Sequence, residues 1–368
     1  MRVLYDHQTF SLQRFGGISR YFSELIEHFD ICPDCDVEPA LALWINRNEY
    51  IRSYRKNSFL DELYPHSFAF PGKNRITNLL NQPRSSNMIR KGSFDVFHPT
   101  YYFDYYSNIL NKPYVITVYD MIHERFPDYL VRDPIRKTKR AVVENADAII
   151  AISEHTKKDL VELFGIPEDL VRVIHLSASG GTSSPSQKIP LPDADFILFV
   201  GNRDGYKNFD FFVQAAAPFI HENNRIFLYC AGGGDFSEKE LFLLEEYGLK
   251  ERAIQKEVSD SELKFLYENA RVFVFPSLYE GFGIPVLESM NHGCVPLLSN
   301  SSSLPEIGAE AAFYFDPRDK DSFVSTLESA WKEGKERDTI LRAGKKRAAD
   351  FSWKKTAEKT AEVYRSLL

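Results

Sequence analysis

The sequence predicts an α/β protein built on two parallel sheets. Three observations carry this expectation. Apolar runs of strand length alternate with helical stretches along most of the chain. A Ser/Gly stretch without periodicity, Ser177 to Ser186, interrupts that alternation near the middle. The segment Tyr279-Glu280-Gly281-Phe282-Gly283-Ile284-Pro285-Val286-Leu287-Glu288 sets a glycine-rich turn between a buried strand and a helix start.

Taken in order, the first-half strand candidates are Arg2–His7, Val37–Trp44, Phe94–Pro99, Tyr114–Tyr119, Ala148–Ser153 and Val171–Leu176. After the Ser/Gly stretch they resume at Phe196–Val200, Ile226–Ala231, Val272–Phe275, Val295–Ser299 and Ala312–Phe315. A helical segment separates each pair, as crossover connections between parallel strands require. The expected division is a first domain over 1–178, a linker over 179–195 and a second domain from 196, with a cleft between the two sheets. Ser259-Asp260-Ser261-Glu262 reads as a capping box opening the helix before the strand Val272–Phe275. The helix after Gly283 is expected to begin at Pro285 and to close at Gly293.

With 368 residues, 43% apolar and 26% charged, the chain has the balance of a soluble globular protein of two ordinary domains. No apolar run reaches the roughly 18 residues of a membrane span, and MRVLYDH reads as a first strand, not a secretory signal. Four cysteines do not make a disulfide framework. Cys32-Pro33-Asp34-Cys35 is a CxxC without a second pair; a surface turn between helix and strand is the commoner reading and a zinc or redox pair the rare one, and the expected compartment is the reducing cytoplasm. The net charge of −7 arises mainly beyond Ala178. The near-neutral first half carries two basic clusters, Lys73, Arg75, Arg84, Arg90, Lys91 and Arg132, Arg136, Lys137, Lys139, Arg140. Solvated helix faces are the plainer reading. Peripheral contact with an anionic membrane face or a lipid-diphosphate acceptor is the other, and no nucleic-acid partner is expected.

The chemistry concentrates at strand ends. The turn at Glu280 lies beyond the carboxyl end of its strand, where open α/β sheets bind ligands. Gly281 and Gly283 let the backbone approach a ligand, and the helix that follows turns its positive end toward an anion. Two carboxylates beside an anion cradle suit a ligand that also bears hydroxyls, which suggests a nucleotide sugar. Glu288, expected in the first helical turn, could accept from the vicinal hydroxyls of a ribose, and Glu280 could face the sugar. Arg203 and Lys207, on the loop after Phe196–Val200, supply the positive charge a diphosphate needs. Ala231-Gly232-Gly233-Gly234 could border the nucleotide base or be a plain turn. Phe15-Gly16-Gly17-Ile18-Ser19-Arg20 opens the helix after the first strand and is not the dinucleotide fingerprint, yet could bring amides near a phosphate. His123 follows a strand and His98 ends one; such a histidine can bond a sugar hydroxyl or shuttle a proton, but a structural role is the commoner one. Asp34-Cys35-Asp36 and Asp193-Ala194-Asp195 both precede strands, so neither is placed to hold a divalent cation, and metal-independent chemistry is expected.

At these residues the sequence resembles the large retaining family of GT-B glycosyltransferases known as group 1 or family 4. The resemblance rests on the E-x7-E motif, Glu280 to Glu288 with EGFGIPVLE between them, and on Arg203, Lys207 and Asn208. Ala309 to Pro317 and the closing Phe351-Ser352-Trp353 helix add to it. It implies two Rossmann-like domains facing a cleft, the second over 196–350 holding most of the nucleotide, with a last helix over 351–368 crossing back to the first. By position it places the ribose on Glu288, the donor sugar on Glu280 and on the backbone of Gly281, Phe282 and Gly283, and the diphosphate on Arg203 and Lys207. Gly17 would lie near that diphosphate, and His123 would be the active-site histidine. The chain departs from the family where a PNG-type turn is common, having Ile174-His175-Leu176-Ser177-Ala178 instead, and where an HD-type pair occurs, having Tyr119-Asp120.

The resemblance implies transfer of a hexose or deoxyhexose, with GDP-mannose or a related GDP- or dTDP-sugar as donor. The implied acceptor is a glycan or polyprenyl-diphosphate-linked glycan of a surface polysaccharide or lipopolysaccharide. Two alternatives stand beside it: a nucleotide-sugar epimerase or hydrolase on the same fold, and a non-catalytic carbohydrate-binding protein. The cation pair argues against the latter, since binding sugar alone needs no diphosphate clamp.

Overall fold

The computed structural model describes residues 1–46, 48–51, 73–129, 134–178, 186–223 and 225–368. Most of the expected linker's Ser/Gly stretch, 179–185, and Arg132 of the second basic cluster lie outside the described residues, as does the side chain of Lys73. The chain forms two compact units. One comprises Met1–Glu124, Leu130–Leu176 and Trp353–Leu368, the other Arg125–Tyr129 and Ser177–Ser352.

The first unit holds strands β1 (Arg2–Tyr5), β2 (Glu38–Leu41), β3 (Val96–His98), β4 (Val115–Val118), β5 (Ala148–Ala151) and β6 (Val171–Val173). They run in the orders β2-β1-β3 and β4-β5-β6, every pair parallel. A single parallel bridge from Phe97 to Tyr114 sets β3 beside β4. β4 and β5 are buried at every residue, as continuous apolar strands covered on both faces must be. Most of the strands stop short of the apolar runs that announce them, because the residues beyond turn into loops at the carboxyl end of the sheet. There Asp6 is fully buried and its carboxylate accepts from Gln8, Thr100 and Tyr105.

The helix Trp353–Arg365 belongs to this unit and buries Trp353, Thr356, Ala357, Thr360, Ala361 and Tyr364, a stripe at helical spacing. Thr356 donates to the His175 carbonyl at 2.8 Å. Tyr364 reaches the middle of the sheet, with its hydroxyl 2.9 Å from that of Tyr5 and 2.7 Å from Nδ1 of His98. The other ring nitrogen of His98 lies 2.9 Å from Oγ1 of Thr117, which also meets the Tyr21 hydroxyl at 3.2 Å. His98 is thus a structural histidine, binding β1, β3, β4, the helix Gly17–Ile31 and the last helix into one network.

The second unit carries β7 (Asp195–Val200), β8 (Ile226–Ala231), β9 (Ala253–Lys256), β10 (Val272–Phe275), β11 (Val295–Ser299) and β12 (Phe313–Phe315). Their order is β12-β11-β10-β7-β8-β9, all parallel. This is the doubly wound dinucleotide-fold order, with its reversal point between β7 and β10. β9 was not expected. It is a half-buried edge strand of four residues whose sequence, AIQK, has no apolar run. Phe199, Phe209, Phe212, Phe315 and Phe323 fill one face of the sheet in edge-on and stacked pairs.

Burial lowers the His98 pKa to about 3, since a ring shut away from water resists taking up a charge. The folded value lies below the unfolded one, so this contribution is whole above about pH 6.5 and is lost as pH falls toward 3. Between pH 6.5 and 4.5, urea denaturation is expected to show roughly 2–3 kcal/mol more loss of stability in the wild type than in His98→Gln. Equal slopes in the two proteins would remove His98 from the account.

Candidate functional site

Two loops meet at the reversal point of the second sheet. After β7 the chain passes through a single 3-10 turn, Gly205–Lys207, and Asn208 adopts a left-handed conformation at φ 61°. The Asn208 amide donates to the carbonyls of Pro276, just beyond β10, and Pro317, just beyond β12. The Leu278 N–H donates to the Tyr206 carbonyl at 2.7 Å. These bonds fix the β7 loop against the β10 loop, and Nζ of Lys207 lies 2.6 Å from Oε1 of Glu280. Both side chains are largely buried, and the ammonium stands 5.2 Å from the centroid of Phe275.

The Glu280 backbone is held in turn by residues after β11. Oγ of Ser302 accepts from the Glu280 N–H at 2.8 Å, and Oγ of Ser303 donates to the carbonyls of Glu280 and Phe282. Gly283 stands at φ 104°, and a Cβ there would meet Leu304 at 3.0 Å, so both backbone and space call for glycine. The helix Ile284–Asn291 then begins with Pro285 at its second residue and ends against Gly293 at φ 72°. Phe282 is buried edge-on to Phe351.

Three sequence expectations are corrected here. Arg203 is not exposed to an incoming diphosphate. Its side chain is buried, Nε donates to Oε1 of Glu240 at 2.6 Å, and its other nitrogens donate to the carbonyls of Gly232, Gly233, Gly234 and Asp235. The three glycines stand at φ 79°, 79° and 72°, which turns their carbonyls around the guanidinium. Glu240 also closes a capping box with Ser237. Burial works to raise the Glu240 pKa, but hydrogen bonds from Arg203 and Ser237 and the guanidinium charge bring it below the usual value. Glu288 lies one turn into its helix, not in the first turn, half-buried and with Oε2 3.4 Å from the Tyr267 hydroxyl. Lys139 is no part of a basic surface: it is 1% exposed and donates to the Asp120 carbonyl and to Glu124, both at 2.8 Å. Arg136, Lys137 and Arg140 of that cluster are exposed.

Gly17 and His123 belong to the first unit. Gly17 opens the helix Gly17–Ile31 beyond β1, and a Cβ on it would meet nothing within 4 Å. His123 lies in the one-turn helix Ile122–Arg125 beyond β4, on the loop that Lys139 braces. The capping box at Ser259 is present in full. The residues that sequence reasoning missed are Ser302 and Ser303; a serine run directly after β11 was the available signal.

Residues 15–177 match the family model described as Glycosyltransferase Family 4, and residues 184–347 the one described as Glycosyl transferases group 1. Between them the two models take in nearly the whole chain. The chain belongs to the group 1 GT-B glycosyltransferases. It is 29% identical over 267 residues to O-antigen chain mannosyltransferase B of Escherichia coli, covering 69% of this chain and 70% of that protein. It is 32% identical over 248 residues to the serotype-specific mannosyltransferase WbdA of Escherichia coli, over 62% of this chain but only 30% of that longer protein. Among solved structures, sucrose-phosphate synthase from Thermosynechococcus elongatus superposes with a TM-score of 0.75 at 19% identity, over 100% of this chain and 98% of that one. Anabaena HepE in complex with UDP-glucose gives a TM-score of 0.71 at 16% identity over the full length of both. These structural likenesses carry the GT-B fold.

In this glycosyltransferase the two cations of the β7 loop differ in what they hold. Arg203→Ala takes the ion-pair partner from the largely buried Glu240 and frees the four carbonyls of Gly232 to Asp235, so urea denaturation is expected to show a loss of about 3–5 kcal/mol. Lys207→Ala removes a single ion-pair bond with no set of carbonyls behind it and is expected to cost less, about 1–2 kcal/mol. Equal losses would contradict the division.

Proposed function

We propose that this chain transfers a mannosyl or related hexosyl or deoxyhexosyl residue from a nucleotide sugar to a glycan acceptor in surface polysaccharide assembly. GDP-mannose is the proposed donor and a polyprenyl-diphosphate-linked glycan the proposed acceptor, with retention at the anomeric carbon and no metal. The O-antigen mannosyltransferase relatives support the sugar and the pathway. The observation that carries the reading is the Lys207–Glu280 contact of 2.6 Å at the sheet's reversal point, beside the start of the helix Ile284–Asn291.

In this reading the donor diphosphate lies between Lys207 and that helix start. The Lys207 ammonium has three N–H bonds. One serves Glu280 and another can reach a phosphate oxygen, so a single cation links sugar and diphosphate. Glu280 accepts from a donor-sugar hydroxyl and Glu288 from the ribose. The bond from anomeric carbon to phosphate oxygen breaks, the acceptor oxygen forms its bond on the same face, and its proton passes to the departing phosphate. Negative charge growing on that phosphate is what Lys207 and the helix amides stabilise. Gly17 and His123 are assigned to the diphosphate and the acceptor side respectively, and Arg203 to shaping the Gly232–Gly234 turn. The proposed setting is the cytoplasm or the inner membrane face. Among the described residues no helix is long and apolar enough to cross a membrane, so contact there would be peripheral.

The test is transfer from GDP-mannose to a polyprenyl-diphosphate-linked glycan in EDTA, with wild type and Glu280→Gln compared. The wild type is expected to form the anomerically retained product. The variant is expected to lose well over ~10-fold in kcat while keeping its affinity for GDP. An inverted product, a strict need for added divalent cation, or near-normal turnover of the variant would each overturn part of the reading.

A further inference from the structure

The CxxC segment, read from sequence as a plain turn, is in the structure a paired dithiol. Cys32 follows the helix Gly17–Ile31, and a 3-10 turn, Pro33–Cys35, leads on to β2. The Cys35 N–H donates to the Cys32 carbonyl at 3.1 Å, closing the turn and bringing Sγ of Cys35 to 2.7 Å from Sγ of Cys32. Both thiols are free. The other two cysteines, Cys230 and Cys294, are buried inside the second unit. Among the described residues no group of three or more His, Cys, Asp and Glu side chains could hold a metal ion, so this pair does not belong to a wider ligand cluster. Cys32 is half-buried and Cys35 is buried, so Cys32 is the more accessible residue of the two. The turn is also a docking point: Arg365, at the end of the last helix, donates to the carbonyls of Asp34 at 3.2 Å and Cys35 at 3.0 Å.

We propose that Cys32 and Cys35 are a redox modification site, a dithiol that a low-molecular-weight disulfide such as oxidised glutathione converts to an intramolecular disulfide. The Cys32 thiolate attacks one sulfur of the oxidant and expels one glutathione thiolate, leaving a mixed disulfide on Cys32. The Cys35 sulfur, already in contact, attacks Cys32 and expels the second glutathione thiolate. Two protein thiols lose two electrons, the oxidant's disulfide gains them, and the two protons end on two glutathione thiols. The more accessible Cys32 is the attacking group and Cys35, in contact behind it, the resolving one; burial, with the neighbouring Cys32 thiol, also pushes the Cys35 pKa up to about 12, against a first attack by Cys35. The bond formed would staple the turn that presents two acceptors to Arg365.

The experiment equilibrates the full-length protein in buffers of graded reduced-to-oxidised glutathione ratio, quenches in acid, alkylates, and reads masses intact and after digestion. The expected result is one two-electron transition to a species lighter by two hydrogens, with the cross-link mapped to residues 32–35 and two of the four thiols still alkylated. Cys35→Ser is expected to stop at a glutathione adduct on Cys32, and Cys32→Ser to take up none at Cys35. Stable glutathione adducts on the wild type without the internal bond, or thiols that stay fully alkylatable across the series, would overturn the proposal. Both variants keep Arg365's backbone acceptors, so their thermal midpoints in reductant check that each is folded.

Discussion

The ion pair of Lys207 and Glu280 is the contact on which the site depends. It exists because β7 and β10 are neighbours while their connections wind to opposite sides of the sheet. At such a reversal the two loops part, and the space between them is where open α/β sheets take ligands. Here the loops are tied by the Asn208 amide on Pro276 and the Leu278 N–H on Tyr206, and the Lys207 and Glu280 side chains meet between them. A cation from one strand end and a carboxylate from the other thus share one position, with a helix start beside them. This is the arrangement a sugar diphosphate asks for: negative charge next to a row of hydroxyls.

Around that contact, buried polar groups fix backbone more than they offer chemistry. Arg203 spends its guanidinium on Glu240 and four carbonyls, and so holds a turn of three left-handed glycines that have no side chains to hold themselves. Ser302 and Ser303 do the same for Glu280. In the first unit Lys139 braces the loop of His123, and His98 ties the last helix to three strands. Arg203, Ser303, Lys139 and His98 are polar groups withdrawn from water whose partners lie elsewhere in the chain, which makes these positions costly to change.

What sequence could show divides along the same line. Parallel strands buried on both faces announce themselves as apolar runs, so eleven of the twelve described strands were legible; β9 was not, because an edge strand needs only one covered face and AIQK carries no such signal. The glycine turn, the capping box at Ser259 and the helix stop at Gly293 were legible because local backbone geometry dictates their residues. Pairings across long separations were not. Arg203 looked like a ligand cation because nothing in its neighbourhood reveals Glu240, 37 residues on. Lys139 looked like part of a basic surface because Glu124 and the Asp120 carbonyl meet it only after folding. Glu288 was set one residue too early, in the first turn, because the helix start was read from Pro285, although the positive φ of Gly283 lets the helix begin at Ile284.

The central claim is that Lys207, and not Arg203, meets the donor's diphosphate. Titration calorimetry tests it most directly, with the preferred nucleoside diphosphate and its monophosphate against wild type and Lys207→Met. The account expects the diphosphate Kd to rise at least ~10-fold, about 1.4 kcal/mol, while the monophosphate Kd stays within ~2-fold. Unchanged diphosphate affinity, or equal losses for both nucleotides, would contradict it.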